Sequence, residues 1–231
     1  NPLHLESPLV QLASSQEEAS FMKQLSKDRK DLELDLLAPN TAISHTRAWP
    51  KNPYGGLISN KDGCINPLKL QKSLLDALEQ NNVPKISEKV IGLEKISTTK
   101  KRQWKINLSN GKSYNKEIIV LCTAVGTEAL LQPLGHSLPI TPVLGQVLDL
   151  KLKEDGQNWA QWPAVLISEK TNLIPYGSNR LMLGATLEPG TCASPQALKQ
   201  MQNLNDNAPD WLKNASVLNS WSGLRARPSN A

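Results

Sequence analysis

The sequence of 231 residues predicts an α+β fold whose larger part is a mainly antiparallel sheet. The first observation is a series of short segments in the second half that alternate apolar and polar residues, as half-buried strands do. The second is the order of elements, since helical and hairpin segments come first and no regular strand–helix alternation follows. The third is Ile118–Cys122, which is apolar on both faces, as a buried strand of the kind found in parallel sheets would be.

The chain divides into three parts by the pattern that each stretch carries. Residues 1–84 are predicted to be a helical and loop region, and residues 85–135 a β-hairpin followed by one buried strand. Residues 136–231 are predicted to form the antiparallel sheet with one helical insert. No internal repeat or low-complexity tract interrupts this order.

The first helix is predicted by a capping box, in which a serine hydroxyl accepts a backbone N–H and a glutamate three residues later reaches back. Ser14 with Glu17, or Ser15 with Glu18, fits this pattern, and the helix should run to about residue 30. The residues expected on its apolar face are Phe21, Met22 and Leu25. Residues 1–13 contain two prolines and are predicted to be a loop.

The second helix is predicted to begin at Asn66, whose side chain can cap it, and Pro67, which has no N–H to lose at the first helical position. Its leucines recur at helical spacing: Leu70, Leu74, Leu75 and Leu78. Between the two helices, a Pro- and Gly-rich loop is expected to contain one short strand at Gly56–Ser59.

Strands dominate from residue 85 onwards. Asn110–Gly111 is predicted to be a hairpin turn because both residues tolerate positive φ. A short helix is expected from Val125 to Leu131, and a longer one from Ser194–Pro195 through Leu204. The predicted strands are Val90–Ile91 continuing to Ile96, Gln103–Leu108, Ile118–Cys122, Gln146–Leu152, Ala164–Ser168, Asn172–Tyr176, Arg180–Leu187 and Val217–Arg225.

Composition argues against several classes of function. The net charge of +5 comes from 26 basic and 21 acidic side chains, and a nucleic-acid binder would concentrate such an excess on one face. The densest basic run, Lys100–Arg102, fits a solvated turn or a docking patch. No apolar run approaches the roughly 18 residues of a membrane span, and no secretory signal is visible. Cys64, Cys122 and Cys192 match neither a zinc spacing nor a disulfide framework, so we expect reduced thiols in a cytoplasmic protein.

The common catalytic motifs are absent from the sequence. His4, His45 and His136 are far apart and form no metal-like cluster. There is no G-x-S-x-G, no H-E-x-x-H, no P-loop and no G-x-G-x-x-G. The 231 residues therefore contain no complete dinucleotide-binding fingerprint of their own.

Four stretches, taken in order, carry a family resemblance. They are Asp62–Pro67, Ile119–Gly126, Thr141–Leu148, and Arg180–Glu188 followed by Trp221–Arg225. With these motifs the chain resembles the FAD-dependent D-amino-acid oxidase family, in its glycine oxidase-like branch, over about residues 55–228. It looks like an internal fragment, since the family's opening G-x-G-x-x-G strand would precede Asn1 and its closing flavin segment would follow Ala231.

The resemblance implies a substrate domain whose antiparallel sheet roofs the flavin, joined to an FAD-binding, Rossmann-like domain of which the chain holds only some strands. Such enzymes oxidise a small amino acid or amine to an imine by hydride transfer to FAD, which oxygen then reoxidises. We therefore expect an oxidoreductase with FAD as cofactor and a small-molecule substrate, and no nucleic-acid or membrane partner. The fragment itself is expected to be inactive and not to retain FAD.

The resemblance also implies site residues. Arg225 matches the arginine of a G-L-R motif that pairs with the substrate carboxylate, with Arg227 as the neighbouring candidate and a plain surface role as the alternative. Asn172 and Leu187 stand where glycine oxidases have an aromatic hydroxyl and a methionine, and Tyr176 is a candidate for the missing hydroxyl. The residues expected to approach FAD are Val90, Ile91, Cys122, Thr123 and Ala124, with plain packing of strands as the alternative.

Two other functions fit the same residues. One is a flavin-dependent amine dehydrogenase that passes electrons to an acceptor other than oxygen. The other is a non-catalytic binding module that kept the sheet but lost the flavin. A G-x-G-x-x-G segment encoded upstream of Asn1 would favour an enzyme over the module.

Overall fold

The computed structural model describes residues 6–43, 49–97, 102–153, 159 and 161–229. The chain forms two compact units. Unit 1 comprises Asn1–Leu74, Gly145–Leu187 and Ala193–Gly223, and unit 2 comprises Leu75–Leu144, Glu188–Cys192 and Leu224–Ala231. The predicted division at residues 84 and 135 stays a prediction.

The bounds of the elements follow the sequence patterns closely in the second half and less closely in the first. The strands are β1 (Leu9–Leu12), β2 (Leu34–Leu37), β3 (Gly56–Ser59), β4 (Val90–Ser97), β5 (Arg102–Leu108), β6 (Ser113–Lys116), β7 (Ile140–Lys151), β8 (Val165–Ser168), β9 (Thr171–Tyr176), β10 (Arg180–Gly184), β11 (Glu188–Pro189) and β12 (Ser216–Pro228). The helices are α1 (Gln16–Asp28), α2 (Pro67–Gln80), α3 (Thr127–Leu131), α4 (Pro195–Gln202) and α5 (Asp210–Lys213).

The large sheet has the order β11-β7-β10-β9-β8-β1-β3-β2, and β12 pairs with β7. β10 is antiparallel to β7 and β9, and β8 is antiparallel to β9. The one parallel pairing given by the described registers of this sheet joins β1 to β8. The predicted α+β class with a large, mainly antiparallel sheet is confirmed.

The core of unit 1 lies on one face of this sheet. Alternation places Leu148, Leu150, Leu173, Leu181 and Leu183 on that face, and each is almost fully buried. They form one cluster with Met201 of α4, with Leu204 just after it, and with Leu212 of α5. The residues between them, such as Asp149 and Met182, therefore lie on the opposite face.

β1 and β2 correct the sequence analysis, which placed no strand before Gly56. β1 pairs with β3 through Leu12 and Gly56 and with β8 through Leu9 and Val165. Four residues after a proline are too short for alternation to identify a strand, and its partners are distant in the sequence. The predicted strand at Gly56–Ser59 is confirmed as β3.

α1 is capped by the second of the two predicted serine–glutamate pairs. The Ser15 hydroxyl accepts the backbone N–H of Glu18 at 3.2 Å. The Glu18 carboxylate accepts the backbone N–H of Ser14 at 2.8 Å. Met22 is buried beside Ala13 and Leu57. The prediction that Phe21 belongs to the apolar face is wrong, because Phe21 is 66% exposed and the buried stripe runs through Ala19, Met22 and Leu25 instead.

A separate three-stranded sheet, β4-β5-β6, contains the predicted hairpin. Gly111 has φ +82°, and the Asn110 side chain accepts the backbone N–H of Lys112 at 3.0 Å. Both features are typical of a turn in which the second residue must adopt a left-handed conformation. Residues 98–101, which include most of the basic run, and His4 and His45 lie outside the described residues.

Ile118–Cys122 is not a strand, which corrects the prediction of a buried strand there. The segment has no regular secondary structure and pairs with none of the described strands, and Ile118 and Val120 are 81% and 80% exposed. A strand exists only where its backbone groups find a partner, and an apolar sequence does not supply that partner. α2 shows the same situation: its start at Asn66 is confirmed, since that side chain accepts from Leu68 N and Lys69 N, but its leucines stay largely exposed.

Candidate functional site

Asn172 and Leu187, two of the predicted substrate-binding residues, lie at the same end of strands β9 and β10. Asn172 is paired in register with Gly184, the last residue of β10, and Leu187 follows three residues later. Both side chains are exposed, while Leu173 beside Asn172 is fully buried. Strand alternation thus turns Asn172 to the face opposite the unit 1 core.

Gly184 lies beside Asn172 on this face of the sheet. It is paired with Asn172 on one side and with Val147 of β7 on the other. A Cβ at this position would lie 2.9 Å from Val147 Cγ2, closer than carbon atoms pack. A larger residue here would require Val147 to move, because its side chain already occupies the space beside Gly184.

Tyr176 is engaged in a polar network at the other end of β9. Its hydroxyl donates a short hydrogen bond to Asp149 Oδ1. Arg180 donates from Nε to the same oxygen at 3.1 Å and from a terminal nitrogen to Asp149 Oδ2. The guanidinium also lies 4.9 Å from the centre of the Tyr176 ring. The hydroxyl predicted for substrate binding is thus already bonded within the sheet.

The pKa values in this network move in the directions that the pairing requires. Burial raises the pKa of Asp149, but the hydrogen bonds from Arg180 and then Tyr176 outweigh it and hold that pKa below its usual value. Burial and the bond to Asp149 raise the pKa of Tyr176. Sequence reasoning missed Asp149 and Arg180, and alternation in β7 and β10 is the signal that could have placed both on the non-core face.

The residues predicted to approach the cofactor lie in unit 2, in one segment that precedes α3 and one that opens β4. Cys122, Thr123 and Ala124 are exposed and lead through one 3₁₀ turn into α3. α3 packs against β4, which starts with Val90 and Ile91. Val90 is half-buried and Ile91 is exposed.

The turn at Cys122–Ala124 fits a flavin dinucleotide in its chemistry. Ala124 adopts φ +46°, a left-handed conformation that a bulky side chain would disfavour. The Thr123 and Thr127 hydroxyls are 2.9 Å apart, which ties the turn to the start of α3. Small exposed side chains leave the backbone open to a ligand. The sequence contains no glycine-rich turn of the kind that binds the phosphates of a dinucleotide.

Arg225 lies in the part of β12 that belongs to unit 2, and it is exposed. Arg227 is exposed as well. Residues two apart in a strand share a face and lie about 7 Å from each other, so both guanidinium groups can serve the same side of β12. The end of the strand is fixed by Ser229, whose N–H donates to Pro139 O at 2.9 Å and whose hydroxyl bonds Thr141 at 2.7 Å.

Two kinds of site have no support in the described part of the chain. It holds no group of three or more His, Cys, Asp or Glu side chains that could bind a metal ion. Nor does any helix in it have the length and apolar character needed to cross a bilayer. Cys64, Cys122 and Cys192 are free thiols.

Comparison with known proteins places the chain in a family. The profile described as "FAD dependent oxidoreductase", named DAO, matches residues 1–231. Glycine oxidase of Pseudomonas putida is 28% identical over 110 residues, which are 46% of this chain and 29% of that protein.

Solved structures with the same fold cover nearly all of the chain. Glycine oxidase from Geobacillus kaustophilus matches with a TM-score of 0.76 at 19% identity, over 99% of this chain and 61% of that one. L-proline dehydrogenase from P. horikoshii matches with a TM-score of 0.74 at 15% identity, over 98% and 62%. Iminodiacetate oxidase from Chelativorans sp. BNC1 matches with a TM-score of 0.71 at 16% identity, over 97% and 61%. The chain therefore spans less than two thirds of the length of these relatives. Because the family profile matches it from residue 1 to residue 231, the chain belongs to the DAO family of FAD dependent oxidoreductases.

Proposed function

We propose that the protein containing this chain oxidises a small amino acid or amine to an imine, with FAD as the electron acceptor. The observation that carries the proposal is the exposed Arg225 in the G-L-R segment of β12, within a chain that matches the DAO family throughout. A planar guanidinium binds a carboxylate through two parallel charge-assisted hydrogen bonds, which fixes the orientation of the substrate as well as its position.

Substrate size is argued from the sheet face around Asn172. Gly184 removes one side chain beside it, and Asn172 offers an amide that can donate to a carboxylate or accept from an ammonium group. Leu187, exposed after β10, would supply an apolar wall. Tyr176 is not needed in this proposal, because its hydroxyl already donates to Asp149.

Cofactor binding is proposed at Cys122–Ala124, and at Val90 with Ile91. When bound, FAD supplies the chemistry by accepting a hydride from the carbon that carries the amine. Cys122–Ala124 would hold it through backbone groups beside small side chains, and Val90 and Ile91 through the backbone of β4. The proposal asks for no histidine or metal, because binding and orienting the substrate are the tasks left to the protein.

Arg225→Ala, made in the full-length protein, is the test of this proposal. We expect a loss of about 2–5 kcal/mol in substrate capture, the usual effect of truncating one partner of a desolvated charge pair. This corresponds to roughly a 30- to 5000-fold fall in kcat/KM for small D- or achiral amino acids. Arg225→Lys should recover only part of it, because an ammonium group cannot make the forked contact.

Arg227→Ala is the matched control, since it removes the same charge from the same face of β12. If Arg227→Ala is the impaired variant and Arg225→Ala is normal, the carboxylate is bound two residues later than proposed. If neither variant changes kcat/KM, an amine without a carboxylate becomes the better substrate class. Hydrogen peroxide formation, measured in the same assays, distinguishes an oxidase from a dehydrogenase with another acceptor.

A further inference from the structure

A pocket of about 330 Å³ lies in unit 1, and the described residues that line it include three aromatic side chains and one carboxylate. Its volume falls at the lower end of the range of small-molecule sites, about 300–1,000 Å³. The lining residues that carry the argument are Glu6, Trp159, Trp162 and Tyr176. The proposed oxidation gives none of them a role.

The two tryptophans form a corner of this pocket. Their ring centres are 5.2 Å apart and their planes are inclined by 77°. Trp162 is almost buried and also makes edge contacts with Trp49 and Trp211, each at 5.8 Å between centres. These contacts fix the position of the ring, so the corner is preformed.

The Tyr176 ring adds a third aromatic surface, and its hydroxyl donates to Asp149. The Arg180 guanidinium lies 4.9 Å from its centre, which shows that this ring already interacts with a cation. Arg180 and Asp149 form a bidentate ion pair, so their charges largely cancel near the pocket.

Among the described residues that line the pocket, Glu6 has the one charged side chain. Its backbone is fixed by two hydrogen bonds with Cys64, each 2.9 Å long. Gly63 permits this close pairing, because a Cβ there would collide with the Glu6 carbonyl oxygen. The Cys64 thiol lies 3.9 Å from the carboxylate. Burial, and then the charge of Glu6, raises the pKa of that thiol, so it stays a neutral neighbour at pH 7.

We propose that this pocket binds a small alkylammonium cation of the quaternary or tertiary type. Aromatic faces attract such cations through the ring quadrupole, and a single carboxylate supplies the counter-charge without requiring a hydrogen-bond donor from the ligand. An anionic ligand would be repelled by the Glu6 carboxylate, and a neutral apolar ligand would offer that carboxylate no counter-charge.

Choline is the probe, and its neutral carbon analogue 3,3-dimethyl-1-butanol is the matched ligand control. Titration calorimetry and tryptophan fluorescence of this chain should show choline binding at millimolar concentration, at least about tenfold tighter than the alcohol. Equal affinity for the two ligands, or no detectable choline binding at roughly 50 mM, would overturn the proposal.

Two pairs of variants test the residues. Glu6→Gln should weaken choline binding about tenfold, while Glu17→Gln, which removes an equally exposed carboxylate from α1, should leave it unchanged. Trp159→Leu should also weaken binding about tenfold, whereas Tyr176→Phe keeps its ring and should change it less than twofold. If Trp159→Leu does not fold, the Glu6→Gln and Glu17→Gln variants still test the proposal. Equal effects of these two variants on choline binding would contradict a specific site.

Discussion

The large sheet and helix α2 both carry regular apolar patterns, but the apolar side chains are buried in the sheet and exposed in the helix. Leu181 in β10 has 0% of its surface exposed, whereas Leu74 in α2 is 57% exposed. Ile118, in the apolar segment before α3, is more exposed than either. Sequence periodicity identifies which side chains share a face, but another element must cover that face before burial stabilises the fold.

The elements that cover the core face of the sheet belong to the same chain. α4 and α5 place Met201 and Leu212 over the leucines, and four tryptophans extend the cluster through edge-to-face contacts. Among the described residues, no comparable cover lies over the leucines of α2. The two regions should therefore respond differently to the same substitution.

The largest effect is expected for Leu181→Ala. Removing a fully buried leucine leaves a cavity and should lower the free energy of unfolding by about 2–5 kcal/mol. Leu74→Ala, the matched change in α2, should alter it by less than about 0.5 kcal/mol, because alanine is a good helix former and little area is uncovered. Urea unfolding measures both, and similar losses at the two sites would mean that Leu74 is buried in solution.

An intermediate effect is expected on the polar face of the sheet, at Asp149. Asp149→Asn should cost about 1–2 kcal/mol at pH 7, less than a fully buried pair because Arg180 is partly exposed. The folded-state pKa of Asp149 lies below its unfolded value of about 3.9, so its contribution is present above that pH and is lost as the pH falls through the folded pKa.

Urea midpoints measured between about pH 2 and pH 7 test this sign. The difference between wild type and Asp149→Asn should shrink on acidification. Asp31→Asn is the control, since Asp31 pairs with Arg29 on an exposed surface and should give a small difference throughout. A gap between wild type and Asp149→Asn that grows at low pH would contradict the assigned direction.

The smallest effect on stability is expected where the side chains are most exposed. Ile118→Ser with Val120→Ser should change the unfolding free energy of this chain by less than about 0.5 kcal/mol. The same change should clearly reduce binding of an apolar dye such as anilinonaphthalene sulfonate, because it removes two exposed apolar side chains. A marked loss of stability would show that the segment is packed in a way that its exposure does not indicate.

Much of the fold could be predicted because its signals are local. Asn110–Gly111 requires a left-handed turn residue, Asn66–Pro67 starts a helix, and β9 and β10 alternate around their hairpin. Phe21 and Met22 show the limit: both suit a helix, and only the position of β3 decides which one is buried. The prediction of a strand at Ile118–Cys122 fails for the same reason, since a strand depends on a partner that its own residues do not specify.

The candidate site was predictable only as a set of positions. Asn172 and Arg225 follow from short motifs, and their roles stay predictions. The engagement of Tyr176 was not predictable, because it depends on Asp149 and Arg180 meeting it across three adjacent strands. The sequence does not distinguish a free hydroxyl from a hydrogen-bonded one, because that difference depends on the order of the strands.

The parallel pairing of β1 with β8 has a consequence for synthesis of the protein. Leu9 leaves the ribosome on the order of 150 residues before its partner Val165. At about 5–20 residues per second, β1 waits roughly 8–30 seconds for its parallel partner to be made. Contacts this distant in sequence slow folding, so we expect the β1–β8 pairing to form late and that edge of β1 to be open to mispairing until then.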